Sequence, residues 1–386
     1  MRATVDAAIV GAGIIGASIA ERILARRPSW RVVLLEREEA PGTGETRWAT
    51  GGVRQQFGTE ANVRLSQISL PIFELFEDHY DVDPGFRQHG YLFVTAEDER
   101  LRTMDAQLAT QQRLGVATER LDRAEMKKRC PPLFTDDLAG GNFNPKDGSI
   151  QPAALLQAYV DWFRRRGGAL ATEAPVTALE RGPSSWTLVT PRAEYETEHV
   201  VLACGPQTRA VARLAGLDVP ANPFARQVFV AEAHAAIPPE IPLTVDLDTG
   251  WYVHAQRSEL LLGGTDKQNR PLAGVAVAEV DWSGVDAIFS AAAHRMPVLA
   301  DAKIVRAYAG ARTLTPDHHP ILGPVASHPG LYLAAGLSGH GIMHSPAVGI
   351  LLAEWVTEGA PRTWDARPLT LERFASHNAL DETAAF

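Results

Sequence analysis

The amino-acid sequence predicts an α/β protein with a second, β-rich (α+β) domain set into it, and three observations carry that reading. An apolar run from Val5 to Val10 leads directly into Gly11-Ala-Gly13-Ile-Ile-Gly16 and a helical stretch. Near the other end, the run Leu331 to Ala335 leads into Gly336-Leu-Ser-Gly-His-Gly341 and a helix through Val356. Between them, Phe224 to Gly264 reads as successive strands. A strand, glycine turn and helix at each end, with strands between, is the pattern of a discontinuous Rossmann-like domain carrying an insertion.

The N-terminal unit is the most informative. Gly11 permits a tight turn, Gly13 leaves bare backbone for close approach, and Gly16 lets the helix pack on the strand. Val32 to Leu35 reads as the next strand. It ends in Glu36, twenty residues after Gly16, with Arg37 beyond it. The helix start at Ile14-Ile15 offers N–H groups and positive dipole to a pyrophosphate. Glu36 would accept hydrogen bonds from a ribose, which argues against a 2′-phosphate. An ADP-containing cofactor is therefore expected. With one such fingerprint and no second, the bound nucleotide is expected to be the redox cofactor itself. FAD suits this better than a diffusible NAD, and the pattern alone leaves both open.

Pro41 to Gly52 is a loop of small residues that can lie against a flat cofactor; it includes Thr46, Arg47, Trp48 and Gly51. Thr59 is expected to cap a helix with Val63, Ile68, Ile72 and Phe76 on one face, kinked by Pro71. Gly90 to Val94 reads as a strand, Glu97 to Leu114 as a polar-faced helix, and Gly140 to Gly148 as a turn-rich connection. Pro152 to Arg166 is a helix with proline in its first turn and Gly167-Gly168 at its end. Short strands follow around Val176–Leu179, Trp186–Val189 and Val200–Ala203, the last running into Cys204-Gly205-Pro206. Trp251–Val253 and Leu260–Leu262 are further strands, and Ser283 to Met296 is helical. The division this predicts is a cofactor domain of 1–86, 149–222 and 312–386. The substrate domain is 87–148 and 223–311, and the ligand is expected between the two.

At 386 residues, with 45% apolar and 22% charged residues, the chain has room for two domains and a large core. A net charge of −9 argues against nucleic acid as a partner. Two cysteines, Cys130 and Cys204, make no CxxC and give no sign of a disulfide framework, a zinc site or a redox dithiol. Cys204 is expected in the core. No apolar stretch reaches the roughly twenty residues of a membrane span. The first strand begins at once, leaving no signal peptide, so a cytoplasmic protein is expected. A homo- or hetero-oligomer is left open. His340 and His344 have the spacing of metal ligands, but no Glu or Cys completes a set, and no metal is expected. The Gly336–Gly341 turn opens a second helix N-terminus, suited to the negative charge of a reduced flavin. A phosphate site or a plain turn are its alternatives.

From end to end the chain resembles the D-amino-acid-oxidase-like flavoprotein superfamily. It is most like the glycine oxidase, sarcosine oxidase, D-arginine dehydrogenase and proline dehydrogenase β-subunit group. Three segments carry the resemblance: VGAGIIGASIA…LLERE, GGVRQQFGTEANVRLS (Gly51–Ser66), and AGARTLTPDHHPILGPV…LYLAAGLSGHGIMHSPAVGILLAE (Ala309–Glu354). The resemblance implies FAD and oxidation of a C–N bond by hydride transfer, giving an imine. The implied substrate is an amino acid or amine with a carboxylate, and the implied electron acceptor is oxygen or a quinone. Arg312 matches the arginine with which glycine oxidase and D-arginine dehydrogenase grip a substrate carboxylate, and Arg54 matches one used by monomeric sarcosine oxidase. A guanidinium fork suits that task; a structural salt bridge is the alternative for each. Tyr252 is expected on the substrate side of the flavin or, alternatively, in the core.

FAD contacts are expected from the fingerprint (Gly11, Gly13, Ile14, Ile15, Gly16, Glu36, Arg37) and from the loop (Thr46, Arg47, Trp48, Gly51, Gly52). The middle segments should supply Val176, Cys204, Gly205, Gly310 and Arg312, and the last turn Gly336, Ser338, Gly339, His340, Gly341 and Ile342. The covalent-flavin cysteine of monomeric sarcosine oxidases falls at Gly310, and the flavin-linking histidine of dimethylglycine-type dehydrogenases has no counterpart near Trp48-Ala49. Non-covalent FAD is therefore expected. The oxygen-activating lysine of sarcosine oxidases falls at Leu261, which favours a dehydrogenase over an oxidase, and their second carboxylate ligand, a lysine, falls at Met343, which removes a cation from the pocket. Two other functions stand as alternatives. One is an FAD-dependent 2-hydroxy-acid dehydrogenase with His254 or His340 as base. The other is a flavin-bearing assembly factor or partner subunit.

Overall fold

The computed structural model describes residues 2–376 apart from 257, 265–269 and 273–277, together with 379, 380 and 382. Uninterrupted aliphatic runs suit strands buried on both faces, and four of them form the heart of a six-stranded sheet. Its order is Ile321–Pro324, Leu331–Ala335, His199–Leu202, Ala7–Val10, Val32–Leu35, Ala169–Ala171. All neighbours are parallel except the first pair. Alternate residues serve two layers. Ile9, Leu34, Val201 and Ala334 pack on the helices Ile14–Arg26, Pro152–Arg165 and Gly341–Glu358. Val10, Leu35, Leu202 and Leu333 face the other way, against a four-stranded sheet that contributes Leu179, Trp186 and Leu188.

Helices Ile14–Arg26 and Gly341–Glu358 cross at close range. Ser18 Oγ donates to the Ser345 carbonyl at 2.9 Å, and a Cβ on Gly349 would lie 2.2 Å from Ser18 Oγ. Both helices begin directly after a central strand, so their N-termini open on the same edge of the sheet.

An eight-stranded sheet stands beyond that edge, in the order Ile304–Leu314, Asn222–Glu232, Glu259–Gly263, Tyr252–Ala255, Leu243–Asp246, Tyr91–Thr95, Gly140–Asn144, Glu119–Leu121. One face buries Leu92, Phe143, Phe229, Val253 and Leu262 with Met126 and Ala292. The opposite face carries Tyr91, Phe93 and Val245, and beside them Val228, Val230 and Leu261. Ile304–Leu314 is one continuous strand running through residues 311 and 312.

Several expectations are corrected. The first apolar run, Val5 to Val10, forms its sheet strand only from Ala7 to Val10, and an unforeseen strand before it, Arg2–Thr4, pairs with Glu194–Thr197 in the four-stranded sheet. The strand expected around Val176–Leu179 is Ala178–Arg181. Gly140–Gly148 is not all turn, because Gly140–Asn144 is a central strand. A Cβ on Gly141 would lie 2.7 Å from both the Met126 sulfur and the Phe93 carbonyl, so this glycine serves close packing. The helix Glu60–Glu74 continues past Pro71 and breaks at Leu75, where Phe76–Tyr80 begins. Ile68 and Ile72 are only half-buried; Leu65, Leu70 and Phe73 join Val63 in the core. Thr59 stands at the N-cap position but makes no cap bond: its hydroxyl meets His319 Nε2 at 2.7 Å and Glu382 at 2.8 Å.

Candidate active site

A cavity of ≈ 780 Å³ lies between the six-stranded sheet's edge and the open face of the eight-stranded sheet. At one end the glycine turn behaves as its spacing requires. Gly11 has φ +102°, and a Cβ there would lie 2.5 Å from the Ala203 carbonyl; a Cβ on Gly16 would lie 1.9 Å from the Gly11 carbonyl. Gly16 thus stands behind the cavity wall, whereas Gly11, Gly13, Ile14 and Ile15 line it. Glu36 is buried at this end and accepts from the Ala12 amide at 2.9 Å and the Glu38 amide at 3.1 Å, one on each oxygen. A carboxylate has further lone pairs to offer. Ile14 N, at the first turn of its helix, donates to Thr46 Oγ1 at 3.1 Å, so the Pro41–Gly52 loop is tied to the glycine turn.

Thr46, Trp48, Gly51 and Gly52 line the cavity, with Arg37, Val176, Cys204 and Gly205 near the Glu36 end. Cys204 is half-buried rather than in the core, its thiol donating to the Val10 carbonyl at 3.3 Å. Arg47 is turned away: it is exposed, outside the lining, with its guanidinium 4.4 Å from the centre of the Trp48 ring. Trp48 also stacks with Tyr308, at 5.5 Å between ring centres. Gly310 lies on the same wall. A Cβ there would come within 2.8 Å of Trp48 Cβ and 3.2 Å of Glu45 Oε2, so the position has no room for a side chain. Burial raises the Glu45 carboxyl to about 7, although the Ala311 backbone hydrogen bond opposes the shift.

At the far end three guanidinium groups converge. Arg312 Nε donates to the Ser338 carbonyl at 2.9 Å, and a Cβ on Gly339 would meet Arg312 Nε at 2.5 Å. Arg226 pairs with Gly310 across the strands, which puts it on the same face as Arg312. Arg54 comes from the other side, only 2% exposed, with its guanidinium 3.9 Å from the centre of the Phe57 ring and Nη2 3.3 Å from His340 Nε2. Burial and the charges of Arg226 and Arg54 push Arg312 down to about 9. The cluster therefore favours an incoming anion. Tyr252 also lines the cavity, over a glycine that makes room for it: a Cβ on Gly263 would lie 2.3 Å from the Tyr252 ring. Burial holds both Tyr252 and Tyr91 above the usual phenol range, so both keep their protons.

The last turn is built differently from a row of bare glycines. Gly336 has φ +62° and its Cβ space is filled by Thr315; Gly339, at φ +85°, yields its space to Arg312. Gly336, Ser338, Gly339, His340, Gly341 and Ile342 all line the cavity. His340 and His344 turn their rings to different partners. Their Nε2 atoms face Arg54 and Ser66, burial drives both rings below their ordinary range, and no metal-ligating cluster exists among the described residues. His254 is buried outside the lining and is pushed down to about 4. Leu261 is packed with Val228, Val230 and Tyr308 in an apolar cluster beside the cavity, and Met343 lines it. Arg226, Tyr91 and Glu45 were not singled out from the sequence. For Arg226 the only trace in the sequence is its parity with Phe224 and Val228 in a strand, which does not by itself say that this face lines a cavity.

The model of the family described as FAD dependent oxidoreductase matches residues 6–355. The chain belongs to this family. Rat dimethylglycine dehydrogenase (Rattus norvegicus, mitochondrial) is 28% identical over 92% of the chain but 43% of that protein, so the chain spans less than half of that relative's length. Glycine oxidase of Geobacillus kaustophilus is 27% identical over 95% of the chain and 97% of its own length. Among solved structures, L-proline dehydrogenase from P. horikoshii superposes with a TM-score of 0.90 at 25% identity, covering 98% of this chain and 100% of that one. No helix among the described residues is long and apolar enough to cross a membrane.

The cavity fits the cofactor of this flavoprotein family. It has a glycine turn no side chain could enter, a buried acid beyond the next strand, a flat wall at Gly310, and two helix N-termini opening on one space.

Proposed function

We propose that this flavoprotein oxidises the C–N bond of an amino acid or N-alkyl amino acid to an imine, which water then hydrolyses. The observation that carries the reading is the convergence of Arg312, Arg226 and Arg54 on one end of the cavity, beside the Gly310 wall. Bound FAD supplies a two-electron acceptor for the hydride leaving the carbon next to nitrogen. Gly11, Gly13, Ile14 and Ile15 would hold its pyrophosphate and Glu36 its ribose, without a covalent link, since Gly310 has no side chain and Trp48 is not a nucleophile. The flavin ring would lie along Trp48, Gly51, Gly52, Gly310 and the His340–Ile342 helix start. Arg312, fixed by the Ser338 carbonyl, grips the substrate carboxylate and so orients the carbon to be oxidised. Tyr252 closes the substrate side as a neutral hydroxyl.

The cofactor-binding unit is taken as 1–86, 149–222 and 312–386, and the substrate unit as 87–148 and 223–311. Relatives named for dimethylglycine, glycine and L-proline all act on amines that carry a carboxylate. With Leu261 inside an apolar cluster and Met343 in the wall, neither position supplies a cation, so a quinone-type acceptor is favoured over oxygen. Two free cysteines suit the reducing cytoplasm.

The test is anaerobic bleaching of the flavin by a panel of amino acids, N-methyl amino acids and 2-hydroxy acids. Amines should bleach it and hydroxy acids should not. Arg312→Met should lose about 10²–10⁴ in kcat/KM for the active acid and nearly all discrimination against its amide, with FAD content unchanged. Bleaching by hydroxy acids alone, or full retained preference for the acid in Arg312→Met, refutes the reading.

A further inference from the structure

Asp147 is a carboxylate in an unexpected place. It ends the turn after the strand Gly140–Asn144 and is 0% exposed. Its oxygens reach the segment following Arg54: Oδ1 accepts from the Gln55 amide at 2.8 Å and Oδ2 from Gln56 Nε2 at 3.0 Å. Gln56 Nε2 also donates to the Tyr91 carbonyl at 3.0 Å. The Gln56 carbonyl in turn accepts from Arg54 Nη1. A chain of bonds therefore runs from the Asp147 carboxylate through one peptide segment to the Arg54 fork.

The anchor of this chain is itself immobile. The Asp147 carbonyl accepts from the Gly90 amide at 2.9 Å, and a Cβ on the next residue, Gly148, would lie 1.9 Å from the Arg87 carbonyl. Burying a carboxylate is costly unless it is hydrogen-bonded and faces a positive charge. Burial raises Asp147 to about 7, while the Gln55 and Gln56 bonds and the Arg54 charge pull it back. Asp147 is not among the cavity-lining residues. Its cost is repaid only by what it holds.

We propose that Asp147 is a positioning residue for the substrate carboxylate: through Gln55 and Gln56 it sets the orientation of the Arg54 guanidinium, making Arg54 the second arm of the grip begun by Arg312. The proposal rests on the reading that this cavity takes a carboxylate substrate.

The test uses the FAD-loaded protein and reads binding of acetate, with acetamide as the neutral control, from the perturbation of flavin absorbance. Asp147→Asn keeps the shape but turns a donor toward one of the two N–H groups. It should raise the acetate Kd about tenfold, leave acetamide unaffected and, with an amine substrate from the panel, raise KM more than it lowers kcat. Gln56→Met removes only the side-chain bond and should raise the acetate Kd about threefold; it also stands in should Asp147→Asn fail to fold. Asp147→Glu should recover part of the affinity. Unchanged acetate affinity in these variants, while Arg312→Met loses it, overturns the proposal and leaves the substrate reading intact. No acetate binding by the unaltered protein overturns both.

Discussion

A methyl group on Gly339 would lie 2.5 Å from Arg312 Nε, so this glycine decides where the guanidinium rests. Gly339→Ala carries a double burden, the clash and a φ of +85° that L residues rarely adopt. The expected outcome is a KM for the carboxylate substrate raised about tenfold, equivalent to about 1.4 kcal/mol, in steady-state kinetics. An unchanged KM would show that Arg312 is not held by this contact. Glu45 gives a pH dependence at the same scale. Its folded pKa, about 7, exceeds the ordinary value of 4.5, so the folded apoprotein holds the proton more tightly than the unfolded chain. The stabilising contribution is full below about pH 4.5 and lost as pH rises through about 7. Glu45→Gln should therefore leave urea stability unchanged at pH 4.5 and raise it by about 1–2 kcal/mol at pH 8. A gain at pH 4.5 equal to that at pH 8 would sink this account. Of these residues, Arg312 and Arg54 were legible through their motifs. Arg226 was not, because a lone arginine in a strand reads as solvent-facing until its cross-strand partner is known.

Elements were legible where one local rule decides them. The start of helix Ile14–Arg26 follows from Gly11, Gly13 and Gly16, and the start of Pro152–Arg165 from its proline. Gly16→Ala tests the first: its Cβ would sit 1.9 Å from the Gly11 carbonyl, a backbone atom with nowhere to go. The variant should purify without bound FAD and lose about 3 kcal/mol of stability in urea. Normal yellow protein would mean that the turn can widen. Gly140–Asn144 was illegible because glycine and asparagine disfavour strands locally; its pairing with Tyr91–Thr95 overrides that preference. Thr59 was misread for a similar reason, since a remote carboxylate on Glu382 outcompetes the cap bond.

At the scale of the whole molecule, the four central strands of the six-stranded sheet were foreseeable from aliphatic runs, but its outer strands Ile321–Pro324 and Ala169–Ala171 were not. The eight-stranded sheet joins segments as distant as Tyr91–Thr95 and Leu243–Asp246, and no periodicity announces such partners. The cavity between the sheets inherits its ends from two helices that touch through Ser18, Ser345 and Gly349. Because that contact leaves no slack, one helix start cannot shift without carrying the other with it. The apoprotein should then already hold the spacing between the phosphate end and the ring end. Calorimetry of FAD uptake should show a heat-capacity change matching the apolar surface the cofactor covers, without the larger negative value of folding coupled to binding. A bulkier side chain at Gly349 would loosen this preorganisation, and the penalty would appear as slower, more entropically opposed cofactor loading rather than as lost contacts to the cofactor itself.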